Sequence, residues 1–565
     1  MLFSKKPLSQ MLAYLLLSQL TPVAHAFEPG ALNPARPDYQ LPPLPQMLPS
    51  VPAQGIQSQP ASTAESITDN GVGFILKTVI FDGADPATEQ KLQQIVAPSI
   101  GKTVSRLDID NLRIAVQQRC KELGFLYPSV ILPSQHINQG ILHYQVQIGH
   151  LTQINIKGTE RLQEDYVRDR LQPDADRPLQ QAELQERFQL LLTDPLIERV
   201  NGNLRPGANP GDAVLDLNVK RAKPYELHVG MDNFTPPTVG SYTGRLDGTV
   251  RNLTGRGDFL RVNLSGSEGT KGIGGYFSMP LNAYDTRINL GYQGSEADVV
   301  DSTLKALNIQ NNFMDVNVGI SHPLYKTINR VFSVEGQYAY RQTHTLFDGT
   351  GISTSSGTED NGKATVSVLR FIQNYLDRDS SHVTSLRSSF NTGIDTFDAT
   401  TNPGNLADTH YFSWLGQMRY LRNVDQRGTQ FFMRGDVQLA STSLLPLEQF
   451  SLGGINTVRG YRQNEMVRDE GYAVALELRY PLILPQASND HHLNIVPFFD
   501  MGGAWNVDGR SKTLMSTGVG LQWAWEQFDA DFYWARALSS HNTVGRGDDD
   551  IQDQGIHFRL HARIL

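Results

Sequence analysis

Residues 472–480 read Tyr472-Ala473-Val474-Ala475-Leu476-Glu477-Leu478-Arg479-Tyr480. Tyr472, Val474, Leu476, Leu478 and Tyr480 recur at every second position, opposite Glu477 and Arg479. Successive side chains of a β-strand point to opposite faces, so this period makes one apolar and one polar face. The two tyrosines stand roughly 26 Å apart along a strand, and strand tilt brings that span near the ~25 Å apolar band with aromatic girdles of a transmembrane barrel.

The same alternation spreads in both directions from this stretch. Upstream, Tyr242, Gly244, Leu246, Gly248 and Val250 share a face against Thr243, Arg245, Asp247, Thr249 and Arg251. Downstream, Ile556, Phe558, Leu560, Ala562 and Ile564 alternate with His557, Arg559, His561 and Arg563. From about Tyr225 to Leu565 there is room for about sixteen such segments at ~20 residues per strand and connection. Connections after even-numbered segments are mostly short: Leu253 to Gly257, Ala283-Tyr284, Asn423 to Gly428. Those after odd-numbered segments are often long: Ser295 to Asn311, His344 to Asp360, Ser441 to Glu470, Ala537 to Gln554. Short turns at one end and long loops at the other mark an outer-membrane barrel with both termini in the periplasm. A soluble propeller or sandwich would not explain polar faces rich in Arg and Asp.

Composition agrees once the faces are separated. Hydrophobic content of 39% and mean hydropathy of −0.33 look soluble, but the lipid and lumen faces of a barrel cancel in the average. A net charge of −9 argues against nucleic-acid binding. Cys120 is the single cysteine, so no internal disulfide forms; in its helical pattern it reads as a small core residue. Lys5 and Lys6, the apolar run Met11 to Leu20 and Ala24-His25-Ala26 compose a secretory signal peptide over residues 1–26. No other stretch approaches ~20 apolar residues, so no transmembrane helix is expected.

Two regions precede the barrel. Residues 27–71 are rich in Pro, Gln, Ser and Ala and read as an extended, mobile linker around Leu41-Pro42-Pro43-Leu44-Pro45. A short helix could begin at Asn33-Pro34, before those prolines stop it. Residues 72–149 read as a β-α-α-β-β module. It has a strand over Phe74 to Asp82, helices near Glu89 to Val96 and Asp108 to Leu123 with Gly124 as C-cap, and strands Ser129 to Leu132 and Ile141 to Ile148. Residues 150–223 repeat that order. The strand is Thr152 to Lys157, the helices lie near Glu164 to Leu171 and Gln180 to Leu192, and the last strands near Val200 to Pro206 and Ala213 to Lys220. The barrel occupies residues 224–565.

The longest connection, residues 441–470 between segments eleven and twelve, contains Val458-Arg459-Gly460-Tyr461. Segment thirteen carries Phe498-Phe499-Asp500-Met501-Gly502, with Phe498, Asp500 and Gly502 on one face. A loop of about thirty residues, doubled back, reaches ~45 Å inward. Arg459 could then pair with Asp500 through its planar fork.

The two motifs together resemble the BamA-like outer-membrane superfamily. The two N-terminal modules narrow the resemblance to the transporters of two-partner (type V) secretion, the TpsB family, in which such modules are POTRA domains. Gly124-Phe125, Val130-Ile131-Leu132-Pro133-Ser134-Gln135, Gly140-Ile141-Leu142 and Val146 to Gly149 support it. So do Asn252-Leu253-Thr254-Gly255-Arg256-Gly257-Asp258 and Met279-Pro280-Leu281 in the early barrel. The resemblance implies two periplasmic α/β POTRA domains and an antiparallel transmembrane β-barrel of about 16 strands, in the outer membrane of a Gram-negative bacterium. It also implies a large secreted partner protein with a β-helical N-terminal secretion domain: an adhesin, a haemolysin or a contact-dependent growth inhibition toxin. POTRA domains would hold that partner by strand addition, and the barrel would export it unfolded. The other implied partners are outer-membrane lipid and, during biogenesis, periplasmic chaperones and the barrel-assembly machinery; the transporter would be a monomer. Family members often begin with a helix that plugs the barrel, to which the short helix near Asn33 would correspond.

No enzymatic activity, cofactor or metal site is expected. His491-His492 face opposite ways on a strand and read as a solvated periplasmic turn. The transport and loop-lock residues are Val458, Arg459, Gly460, Tyr461, Phe498, Asp500 and Gly502. Two other readings stay open: an insertase of the same superfamily, and a passive pore or receptor. The mature protein should begin at Phe27. N-terminal sequencing of the membrane fraction checks this, and a chain retaining Met11 to Leu20 contradicts it.

Overall fold

The computed structural model describes residues 44–45, 47–48, 56–58 and 73–565, except 138, 173–179, 485–490, 508 and 540–547. The signal peptide and the short helix near Asn33 lie outside the described residues. The chain divides into two compact units: one holds Val51–Pro224, and the other holds Tyr225–Leu253 and Asp258–Leu565.

The first unit contains both α/β modules. In the first module, strand β1 (Thr78–Asp82) lies parallel to β3 (Ile141–Gln147), which pairs antiparallel with β2 (Ser129–Ile131). Helix α1 (Pro86–Val96) starts where the Asp85 carboxylate accepts the N–H groups of Ala87 and Thr88, with Pro86 in the first turn. Helix α2 (Arg106–Glu122) starts at a reciprocal capping box of Ser105 and Asp108. Gly124, at φ +90°, takes the left-handed conformation just past its end. Leu92 and Val96 of α1, with Ile109, Val116 and Cys120 of α2, pack on the sheet through Val79, Phe81, Leu142 and Tyr144. The expected strand over Phe74 to Asp82 is broken at Leu76-Lys77. There the backbone N–H groups turn to the carbonyls of Lys102 and Gly140, and Phe74–Ile75 pairs separately with Thr103–Val104.

The second module has the same plan. β4 (His150–Lys157) runs parallel to β6 (Asp212–Arg221), and β6 pairs antiparallel with β5 (Ile197–Pro206). Helices α3 (Glu164–Leu171) and α4 (Gln181–Leu192) cover one face through Val167, Leu171, Leu184 and Phe188. The linker contributes something its composition hides. Gln57–Ser58 forms a strand parallel to β5, with Gln57 opposite Asn203 and Ser58 opposite Leu204. The Ile56 side chain packs against the module's core, and its N–H donates to Gln185 Oε1 at 3.1 Å. Residues 56–58 are therefore held here through main-chain pairing and one apolar anchor.

The second unit is a closed barrel in which sixteen strands pair antiparallel with their neighbours; a two-residue strand, Thr350–Gly351, adds to the seventh. The first strand (Tyr225–Asp232) closes on the sixteenth (Ile556–Arg563), which leaves no open edge. Burial follows the expected period. In the twelfth strand (Glu470–Ile483), Ala473, Ala475 and Glu477 are buried while Leu478 and Tyr480 are exposed. In the thirteenth (His491–Trp505), Asp500 is buried and Phe499 is exposed. An outward face of exposed leucines, tyrosines and phenylalanines is what a lipid-facing wall requires. Among the described residues no helix is long and apolar enough to cross a membrane. His491 and His492 open the thirteenth strand rather than sitting in a turn, and the Trp523 indole N–H donates to His491 Nε2 at 2.8 Å.

Burial pushes the Cys120 thiol up to about 11, so it carries no thiolate at neutral pH. The native protein should therefore resist a polar maleimide at pH 8 and react once denatured. Rapid labelling of the native protein would show that α2 does not bury this side chain.

Candidate functional site

The loop between strands eleven (Gln430–Ala440) and twelve is a hairpin. Phe450–Leu452 pairs antiparallel with Met466–Arg468, and the chain turns between them. At the tip, Gly454 N–H donates to Val458 O at 3.1 Å and Gly453 N–H to Thr457 Oγ1 at 2.8 Å. This tight turn aims Arg459 at the wall.

Arg459 is 2% exposed and Asp500 0%. The guanidinium Nε and Nη2 donate to the two Asp500 oxygens, each at 2.7 Å, a bidentate fork. The Arg459 backbone N–H adds a third bond to Asp500 at 3.0 Å. Nη1 donates to Glu477 Oε1 at 2.8 Å, and the other Glu477 oxygen accepts from Arg479 at 2.9 Å. Two cations thus meet two carboxylates; Arg459, Glu477 and Asp500 are buried, and Arg479 reaches in from a partly exposed position. The Arg459 guanidinium also lies 3.7 Å from the Phe498 ring centroid and 4.9 Å from that of Tyr533, a cation–π contact.

The neighbouring residues shape the seat. Val458 is buried with Phe450, Leu452, Ala504 and Leu514. Gly460 has φ +86°, a conformation that favours glycine, and a Cβ there would meet Ala535 Cβ at 3.0 Å. Gly502 clears the wall for the loop, since a Cβ would stand 2.5 Å from Leu452 Cδ1. Tyr461 is buried and donates its hydroxyl to Met515 O at 2.8 Å.

All seven sequence-selected residues therefore meet in one place. Four participants were missed. Glu477 and Arg479 face inward on the stretch that reveals the barrel, where ionisable residues on the polar face were the available signal. Tyr533 comes from strand fifteen (Phe528–Ala537), and His557 from strand sixteen. His557 is buried, and its Nε2 accepts the Gly460 N–H at 3.2 Å. The tip also reaches the seam between the first and last strands. Gln463 N–H donates to Gln552 Oε1 at 2.9 Å, and Gln552 Nε2 donates to the carbonyls of Asn233 and Thr235. Asn233 in turn donates to Ile556 O and accepts from Phe558 N–H across the seam.

The family model for haemolysin secretion/activation proteins ShlB/FhaC/HecB matches residues 211–523, and that for ShlB-type POTRA domains matches residues 74–149. The chain belongs to this family. It is an outer-membrane transporter of two-partner secretion, and it exports a secreted partner protein through its barrel. Among curated relatives, the heme/hemopexin transporter protein HuxB of Haemophilus influenzae (strain 86-028NP) is 24% identical over 473 residues, 77% of this chain and 78% of that protein. The outer membrane transporter CdiB of Escherichia coli O6:K15:H31 (strain 536 / UPEC) is 23% identical over 481 residues, 81% and 78% of the two chains. Among solved structures, CdiB from Escherichia coli superposes with a TM-score of 0.67 at 19% identity, over 90% of this chain and 93% of that one. BamA from Haemophilus ducreyi lacking POTRA domains 1–3 gives 0.54 at 13% identity, over 87% and 100%. These structural likenesses concern the fold. The family match is what favours export over the insertase and passive-pore readings.

Removing either member of a buried, hydrogen-bonded ion pair strands the other charge, at about 3–5 kcal/mol. Arg459→Ala and Asp500→Ala should each expose the loop tip to protease in reconstituted membranes. The double variant should add little, because one interaction is lost either way. Fully additive losses would mean that the two residues act separately.

Proposed function

We propose that residues 150–223 form a second POTRA domain, that the outer edge of its sheet captures the cargo by strand addition, and that the Arg459-centred lock holds the barrel at rest. The observation that carries the capture step is the pairing of Gln57–Ser58 with β5. An edge that accepts a short parallel strand through main-chain hydrogen bonds offers the same bonds to another extended segment. Main-chain recognition asks little of the guest's sequence, which suits a large secreted protein with a β-helical N-terminal domain. The cargo class is an adhesin, a haemolysin or a contact-dependent growth inhibition toxin. Capture then displaces Gln57–Ser58 and frees the linker.

No catalytic step is required. The periplasm holds no ATP, and the cargo's folding outside the cell opposes its return. The lock residues Val458, Arg459, Gly460, Tyr461, Phe498, Asp500 and Gly502 are loop-positioning groups, assisted by Glu477, Arg479, Tyr533 and His557. Loss of Arg459 or Asp500 loosens the loop and lowers export without preventing insertion.

Gln57 and Asn203 are register partners, so a cysteine pair there lies at disulfide distance. Cys120, the only native thiol, is buried and does not compete. The Gln57→Cys/Asn203→Cys variant should lose export when oxidised and regain it on reduction, with the barrel inserted throughout. Normal export by the oxidised variant would overturn the capture model.

A further inference from the structure

A second set of buried charges lies along the same loop, away from the lock. Glu448, 0% exposed, sits on the limb that leads from strand eleven to the hairpin. Its Oε1 accepts from Arg341 Nη1 at 2.7 Å and from Arg370 Nη2 at 2.9 Å. Arg341 belongs to strand seven (Arg330–Phe347) and Arg370 to strand eight (Lys363–Arg378). Asp315 of strand six (Ile309–Lys326) lies 2.8 Å from Arg341 Nε. Arg341 also donates to the Leu447 carbonyl. All four ionised side chains are buried.

The surroundings fix the limb in place. Leu444, Leu445 and Leu447 are buried with Phe313, Val366 and Tyr411 on the inner wall. Gln438 Nε2 donates to the carbonyls of Glu448 and Asp469, which ties the two limbs together at the hairpin's root. Three of the four charges belong to the wall, and only Glu448 belongs to the loop. Two cations out of water call for counter-charge, and the loop supplies the Glu448 carboxylate.

We propose that Glu448 is a second latch: a positioning residue that seats the root of the inward loop on strands six to eight, independently of Arg459 at the tip. It rests on the reading that this loop holds the barrel at rest. When the root of the loop leaves, Arg341 and Arg370 lose the Glu448 carboxylate, and this part of the lumen wall gains one net positive charge. Opening the root thus makes the pore anion-selective, which a purely steric contact would not do.

The full-length protein in planar bilayers tests this without cargo, so the outcome does not depend on whether the export reading holds. Glu448→Gln should raise the open probability about tenfold or more, as loss of a buried ionic contact implies. In a KCl gradient the reversal potential should move toward that of chloride. Adding Arg370→Gln restores the charge balance, so selectivity should return toward that of the native pore while openings stay frequent. Glu448→Gln combined with Asp500→Asn should open the pore more often than the product of the single effects, because each latch holds alone. Glu448→Asp keeps the charge on a shorter arm and serves if the glutamine variant fails to insert; it should raise openings and move the reversal potential in the same direction. An inserted Glu448→Gln barrel with native open probability and native reversal potential would overturn the proposal, as would a Glu448→Asp barrel with native openings.

Discussion

A guanidinium taken out of water must carry its counter-charges with it. Arg459 meets that demand with Asp500 on one side, Glu477 on another and the Phe498 ring beneath. Most other features of the loop serve to bring this group to that place. The hairpin gives the tip its reach, Gly460 allows the turn, and Gly502 leaves a gap in the wall for Leu452 and Val458. The ion pair is weak evidence of stability for the barrel as a whole, since burying charge is costly even when it is paired. Its value is geometric: one arrangement gives each of the three guanidinium nitrogens a carboxylate acceptor.

The two units handle β-sheet edges in opposite ways. The barrel closes on itself, so its lipid-facing wall exposes apolar side chains and no open strand edge. The second α/β module keeps an outer strand that takes in a piece of linker. A membrane wall cannot tolerate an open edge, whereas a binding surface depends on one.

The parts legible in the sequence were those with a period or a local cap. Alternation over 472–480 and 556–564 identified strands because lipid and lumen lie on opposite sides of every barrel strand. Ser105, Asp108 and Gly124 marked the ends of α2 because capping is a local interaction. The Arg459–Asp500 contact was readable because its two motifs are short and place opposite charges on an inward-reaching loop and a lumen face. Other features left no such trace. The Gln57–Ser58 strand is made by main-chain atoms, so composition suggested only a mobile linker. Glu448 meets Arg341 and Arg370 at separations of 107 and 78 residues, and no spacing rule connects them. The break at Leu76-Lys77 reflects carbonyls supplied by distant turns, and His491 was misplaced because strand ends blend into turns.

The link from Gln463 through Gln552 to Asn233 also bears on how the barrel is closed. The first and last strands share only five register pairs, from His228–Arg563 to Asp232–Arg559. Beyond them the join is completed by Asn233 and Gln552, and Gln552 is itself held by the loop tip. Asn233 and Phe558 are 325 residues apart in the chain, so the join brings together the two ends of the barrel sequence. The hairpin is thus a strut for the place where the cylinder closes: a tip that withdraws takes Gln463 from Gln552, and Gln552 is then held by the carbonyls of Asn233 and Thr235 without it.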